Sequence, residues 1–334
     1  MKKKILLIAC LIMANMAAFA QTASVMLLHE GGEPRFFNPA HIADALEAAT
    51  DGDSLLLSEG SFAGNFIITK HVSLIGAGTK TVITGSINIE LTDSLMNDTY
   101  MLDALYITDD INVNNAIDGL KMRKCTFRNI SFNGRTDYSV IENCYCKGTL
   151  LLGGWAENNE KSKVVGLTVV NSKIENLTGD ASADGAAVFE HCNVRLITIY
   201  GNTADNRCTL QGCIIGGWSM GLADYYGTPY GGKTIYINCL CDGGNYKSGN
   251  PARYTDCWDF YHETTQQNAK LLEELDYKGY PLSNYICSDG TVVGTTGGSL
   301  PFTLSPTLPT VSEASYSVDS KEKKLKVTLK VKTN

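Results

Sequence analysis

Proline is scarce in this chain, 8 residues in 334, whereas glycine reaches 32, so tight glycine turns rather than stiff proline linkers join its elements. Charge is also sparse: 19% of residues are charged against 44% hydrophobic, which excludes a disordered bulk. Cations are outnumbered, 28 Lys and Arg against 35 Asp and Glu, for a net charge of −7. A net negative surface argues against nucleic acid as the main partner, because phosphate binding needs clustered Lys and Arg. Beyond the first twenty residues no stretch approaches ~18 apolar residues, so nothing else is long enough to span a bilayer as a helix. Histidine numbers only 5.

Residues 1–20 read as a secretory signal. Lys2, Lys3 and Lys4 form a basic start, Ile5 to Phe19 is mostly apolar, and Ala18-Phe19-Ala20 offers small residues for cleavage before Gln21. Leu7-Ile8-Ala9-Cys10 competes as a lipobox that would acylate Cys10, but few apolar residues precede Cys10 and the run continues past it. The expectation is an exported protein, in the periplasm, on the cell surface or secreted.

What is present is repetition. Strand-like pieces begin at Ser24–Leu28. Asn38-Pro39 reads as a helix start, with Ile42, Leu46 and Ala49 on one apolar stripe. Short strand runs follow at Ser54–Leu57, Asn65–Thr69, Val72–Ile75 and Thr81–Thr84. From 120 to 241 one register recurs: Cys125, Cys144, Ser172, Cys192, Cys213 and Cys239. Three residues earlier stand Met122, Ile141, Val169, Phe189, Leu210 and Tyr236; two residues later stand Phe127, Cys146, Ile174, Val194, Ile215 and Cys241. In a flat strand, offsets of −3 and 0 face opposite ways. Both look buried, so the chain must bend between them. The residue before the register position is Asn143, Asn171 and Asn238 in three repeats and Gly212 in a fourth, types that tolerate left-handed angles. Such a repeat cannot bury its own apolar face, and stacking of successive repeats buries a continuous core. The predicted architecture is all-β, a right-handed parallel β-helix with an N-terminal capping helix. Residues 21–304 form it, including an irregular C-terminal cap with a helical piece near 267–275. Residues 305–334 add a linker and a hairpin of Ser315–Val318 with Leu325–Val331.

Phe37-Asn38-Pro39-Ala40-His41-Ile42-Ala43-Asp44-Ala45-Leu46, Asp51-Gly52-Asp53-Ser54-Leu55 and Val72-Ser73-Leu74-Ile75-Gly76-Ala77-Gly78 resemble the opening of pectin-lyase-like β-helix proteins, pectin methylesterases included. The asparagine bends resemble that fold's asparagine ladder. Ser288-Asp289-Gly290-Thr291-Val292-Val293-Gly294, then Gly297, Gly298, Pro301 and Phe302, resemble a closing segment of exported bacterial β-helix proteins. The resemblance implies fold more than function, because this fold hosts many activities.

Four loops following the third strand of successive coils are the candidate site: 153–162, 179–185, 201–207 and 221–232. With Trp218 they supply Trp155, Asp180, Asp184, Asp205, Asp224, Tyr225, Tyr226 and Tyr230. Aromatic planes stack on the apolar faces of sugars, and carboxylates take their hydroxyls. The candidate glycan-binding residues are Trp155, Asp180, Asp184, Trp218, Asp224, Tyr225, Tyr226 and Tyr230; solvated loops with self-packed aromatics are the bland alternative. Ala186–Cys192 resembles a strand near the methylesterase site, but the Gly-Asp-Phe-Ile-Phe-Gly and Gln-Asp-Thr-Leu segments are missing. A lyase would draw on Arg195, Arg207 or Arg253 as base and on Ca²⁺ held by Asp180, Asp184, Asp205 and Asp224. Paired carboxylates for hydrolysis could come from the same aspartates or from Asp256 and Asp259. The primary expectation is a non-catalytic scaffold that binds a polysaccharide or cell-surface glycan, adhesin-like and without cofactor. The alternative is a polysaccharide-active enzyme, lyase before esterase or hydrolase.

The register cysteines are read as small buried hydrophobes, with a disulfide such as Cys257–Cys287 as the alternative. Cys144-Tyr145-Cys146 and Cys239-Leu240-Cys241 lack zinc spacing, and no histidine stands at ligand spacing from them, so no metal site is expected. Arg253 to Glu263 reads as an aromatic cap with a packed His262.

Overall fold

The structure is a computed structural model, and it describes residues 23–30, 32–91, 101–115, 117–134, 136–152, 164–180, 187–200, 208–216, 235–242, 254–260, 282–305, 310–319 and 324–332. The signal segment, Cys10 and the expected helix at 267–275 lie outside the described residues. Among the described residues no helix is long and apolar enough to cross a membrane.

The chain winds as a parallel β-solenoid. One sheet stacks twelve strands, from Arg35–Phe37 and Val25–Leu28 through Ser54–Leu57 to Tyr254–Thr255; a second stacks fourteen, and a three-stranded sheet forms a further side. The entry to the solenoid is antiparallel, where Val25–Leu28 pairs with both Arg35–Phe37 and Ser54–Leu57. Thereafter successive coils pair in parallel, as Val140–Glu142 does with Thr168–Val170. Alternation explains the interior. Every residue three before and two after the register position, from Met122 and Phe127 to Tyr236 and Cys241, is buried. Phe62, Phe127, Phe132 and Phe189 are the largest side chains in the sealed column.

The bend is where the sequence predicts it. Asn143, Asn171, Asn238 and Gly212 all take positive φ, between 45° and 62°. The same conformation extends to Ala104, Lys124, His191 and Asp256, whose side chains gave no such signal. A second line of left-handed corners, Gly119, Tyr138 and Gly166, turns the chain between the three-stranded and twelve-stranded sheets.

The register cysteines are more than small hydrophobes. The Cys125 amide donates to Cys144 Sγ at 3.4 Å, Cys192 to Cys213 Sγ at 3.4 Å, and Cys239 to Cys257 Sγ at 3.4 Å; the Cys144 amide donates to Ser172 Oγ at 3.0 Å. Each thiol donates in turn to the carbonyl two residues back, Cys144 to Glu142 and Cys213 to Gln211; Ser172 does the same to Val170 at 2.9 Å. A side chain that both accepts and donates therefore closes each bend, which is why serine substitutes for cysteine here. None of the ten cysteines from Cys125 to Cys287 forms a disulfide, so Cys257 and Cys287 are not bridged.

Three expectations are corrected. The helix runs over Ile42–Ala48 with His41 as N-cap. Asn38 instead makes a preceding turn, its Oδ1 accepting from the Ala40 amide at 3.0 Å and its carbonyl from the His41 amide at 2.9 Å. The helix ends on Lys70, whose ammonium donates to the carbonyls of Leu46, Glu47 and Ala49, as favourable cation placement at a C-terminus requires. Residues 254–260 are not an irregular cap: Tyr254–Thr255 and Trp258–Phe260 pair in parallel with the preceding coil and continue the ladder through Cys257. The terminal hairpin is longer than read, Thr310–Asp319 against Lys324–Lys332.

Candidate functional site

The closing segment, residues 282–305, runs back along the line of left-handed bends, crossing coils in reverse order. The Ser288 amide donates to Asn238 Oδ1 at 3.1 Å and the Gly294 amide to the Gly212 carbonyl at 2.7 Å. The Thr295 amide donates to Asn193 Oδ1 at 3.1 Å. Asn171 Nδ2 donates to the carbonyls of Thr295 and Gly297 at 3.2 and 2.8 Å. The Thr303 amide reaches Asn143 Oδ1 at 2.7 Å. Asn143, Asn171 and Asn238 thus serve twice: their backbones bend left-handed, and their amides bind the closing segment, which Asn193 binds from the start of a strand. Lys173 rests over the Phe302 ring at 5.0 Å. Val293 and Cys287 pack with Ile214 and Leu240, joined by Trp258 and Tyr285, whose rings meet edge to face at 5.7 Å.

In one coil the bend residue is His191. Its ring is buried, and glycines make the room. An added Cβ at Gly212 would meet the ring at 2.8 Å, one at Gly298 at 2.8 Å, and one at Gly297 would stand 2.6 Å from Nδ1. His191 Nε2 lies 2.9 Å from Asp289 Oδ2, while Nδ1 is buried without a hydrogen-bond partner. Asp289 Oδ1 accepts from the amide and the hydroxyl of Thr291, both at 2.9 Å. Burial pushes the Asp289 carboxyl up, but the bonds from Thr291 and the His191 contact outweigh it and hold it below the usual range. Cys287 closes the group: donor atoms of His191, Cys287 and Asp289 all lie within 4.8 Å of one another. Burial first, then the Asp289 carboxylate, push the Cys287 thiol up to about 11. At neutral pH it is a protonated thiol, 5% exposed, not a poised nucleophile.

His191 and Asp289 stand 98 residues apart, and no motif spacing links them. The one signal in the sequence is a histidine immediately before the register position Cys192.

The loop candidates Trp155, Asp184, Trp218, Asp224, Tyr225, Tyr226 and Tyr230, like Asp205, Arg207 and Arg253, lie outside the described residues. Asp180 ends the strand Lys173–Asp180, paired with Tyr200. The strands preceding the four loops are neighbours in one sheet: Tyr145–Leu151, Lys173–Asp180, Asn193–Tyr200 and Ile214–Ile215. On the outward face of that sheet Glu175 takes Arg195 Nε and, at 3.2 Å, the Tyr145 hydroxyl; Lys147 lies 4.6 Å over the Tyr106 ring. Arg195 is therefore an ion-paired surface residue. Asp256 is a left-handed bend residue, and Asp259 lies in the strand Trp258–Phe260. Comparison of the chain with protein families, curated proteins and solved structures finds no match.

Proposed function

We propose that this is an exported β-helix that presents a glycan-binding flank and acts by binding rather than by cleavage. The observation that supports it is the stacking of the four loop-bearing strands side by side in one sheet. Segments 153–163, 181–186, 201–207 and 217–234 leave consecutive coils of that sheet and return to the neighbouring sides. These segments hold Trp155, Trp218, Tyr225, Tyr226 and Tyr230, with Asp184 and Asp224, and Asp180 ends the strand that precedes one of them. Coils spaced ~4.8 Å apart suit an extended polysaccharide better than a small ligand. The half-buried Tyr106 and Tyr145 and the charged Lys147, Glu175 and Arg195 of the same sheet continue that chemistry.

The test is binding of the purified chain to an array of acidic and neutral polysaccharides, beside a Trp155→Ala/Trp218→Ala variant, with reducing ends assayed with and without Ca²⁺. Retention on one polysaccharide class, lost in the variant and without new reducing ends, is the expected result. Absence of affinity across the array refutes glycan binding, and release of reducing ends refutes the non-catalytic part.

A further inference from the structure

We propose that His191, Cys287 and Asp289 bind a divalent transition-metal ion of zinc type, at the point where the closing segment crosses the line of left-handed bends. The proposal stands apart from the glycan-binding reading, since these residues belong to a different side of the solenoid.

The donor set is mixed: an imidazole nitrogen, a thiol sulfur and a carboxylate oxygen, all within 4.8 Å of one another. Borderline-soft Zn²⁺ takes these three donor types at ~2.0 to 2.3 Å, and three protein ligands leave a fourth position for water. Such bonds set donors roughly 3 to 4 Å apart, a small contraction of the observed group. Hard cations such as Ca²⁺ and Mg²⁺ demand oxygen and would leave the thiol idle.

The nitrogen that faces the group is Nε2, 2.9 Å from Asp289 Oδ2, so an ion would take the place of that hydrogen bond and bring the imidazole and the carboxylate onto one centre. His191 is 6% exposed, which keeps the ring enclosed at the site.

The turn that carries the other two donors is already built. Ile286 bridges Val292 in antiparallel fashion, the Cys287 amide donates to the Thr291 carbonyl at 2.8 Å and the Gly290 amide to the Cys287 carbonyl at 2.9 Å. Thr291 fixes the Asp289 carboxylate and its hydroxyl accepts from the Gly298 amide at 2.7 Å. Asp289 is 40% exposed on its side chain, which gives an ion a way in from solvent while Cys287 and His191 stay enclosed. An ion here would tie residue 191 to residues 287 and 289 and so lock the closing segment onto the coils.

The probe is Co²⁺ added to the full chain under a phosphine reductant, followed by displacement with Zn²⁺. The expected result is one equivalent of cobalt with a thiolate-to-cobalt charge-transfer band, erased by zinc. Cys287→Ser abolishes the band, and His191→Asn weakens cobalt affinity by at least ~10-fold. Asparagine already occupies the same bend position in neighbouring coils, so His191→Asn retains the fold, which amide exchange of the coil strands verifies. A band that persists in Cys287→Ser, or no stoichiometric band in the wild type, overturns the proposal.

Discussion

Replacing Asn171 by alanine isolates what holds the closing segment to the coils. Asn171 is fully buried, bends at φ 45°, and donates to the Thr295 and Gly297 carbonyls at 3.2 and 2.8 Å. Alanine removes both bonds, each worth about 1 kcal/mol and somewhat more where the acceptor stays buried. It also places an ordinary Cβ in the left-handed region, which costs about 1 kcal/mol more. The closing segment should therefore be weakened by ~3 kcal/mol, and amides of residues 288–303 should exchange on the order of 100-fold faster. Local exchange is the right assay, because a stacked solenoid need not unfold as one unit. Asn171→Gly relieves the backbone cost and should recover about 1 kcal/mol of the loss. Asn171→Asp keeps the bend but turns a carboxylate toward two carbonyls, and should be worse than alanine. Exchange within threefold of wild type in Asn171→Ala, or an aspartate variant as protected as wild type, would refute the reasoning.

Two further predictions follow from the same geometry. Cys213→Ser should cost under about 1 kcal/mol, because Ser172 already performs the same bridging between coils, whereas Cys213→Val should cost ~1–3 kcal/mol by leaving the Cys192 amide without its acceptor; urea midpoints that rank valine above serine would contradict this. Burial pushes the Asp53 carboxyl up, but bonds from Thr50 and the His29 contact outweigh it and leave it below the usual carboxylate range. Its stabilising contribution is present above the unfolded carboxylate value of ~3.9 and is lost as pH falls through the lower folded value. Thermal melts of wild type and Asp53→Asn should converge on acidification, and a gap unchanged down to pH ~2 would count against it.

Much of the solenoid was legible because its signals are local. Asn143, Asn171, Gly212 and Asn238 before their register positions announce a left-handed bend, and apolar residues at −3 and +2 announce that both flanks face inward. The signal failed where side chain and conformation part company. Lys124 and Ala104 bend as asparagine does because stacked neighbours hold them, not because of intrinsic preference. The coil at 254–260 was hidden for a related reason. Tyr254 and Cys257 keep the pattern, but Asp256 stands at the bend and Asp259 occupies the +2 position that is apolar in the earlier coils. The helix start was misplaced since Asn38 spends its side chain on a turn rather than a cap. The His191, Cys287 and Asp289 group was illegible for a deeper cause. It depends on a segment that reverses along the solenoid and meets coils up to 160 residues earlier, and no periodicity encodes that path.

The path of the closing segment over the bends is the claim on which the candidate metal site depends. A double-mutant cycle between His191 and Asp289, using His191→Asn and Asp289→Asn in the presence of a chelator, tests it most directly. Read by amide exchange in residues 288–303, the pair should show a coupling on the order of 1 kcal/mol, as for two groups in one buried hydrogen bond. Effects that add within about 0.3 kcal/mol, as for residues not in contact, would contradict it.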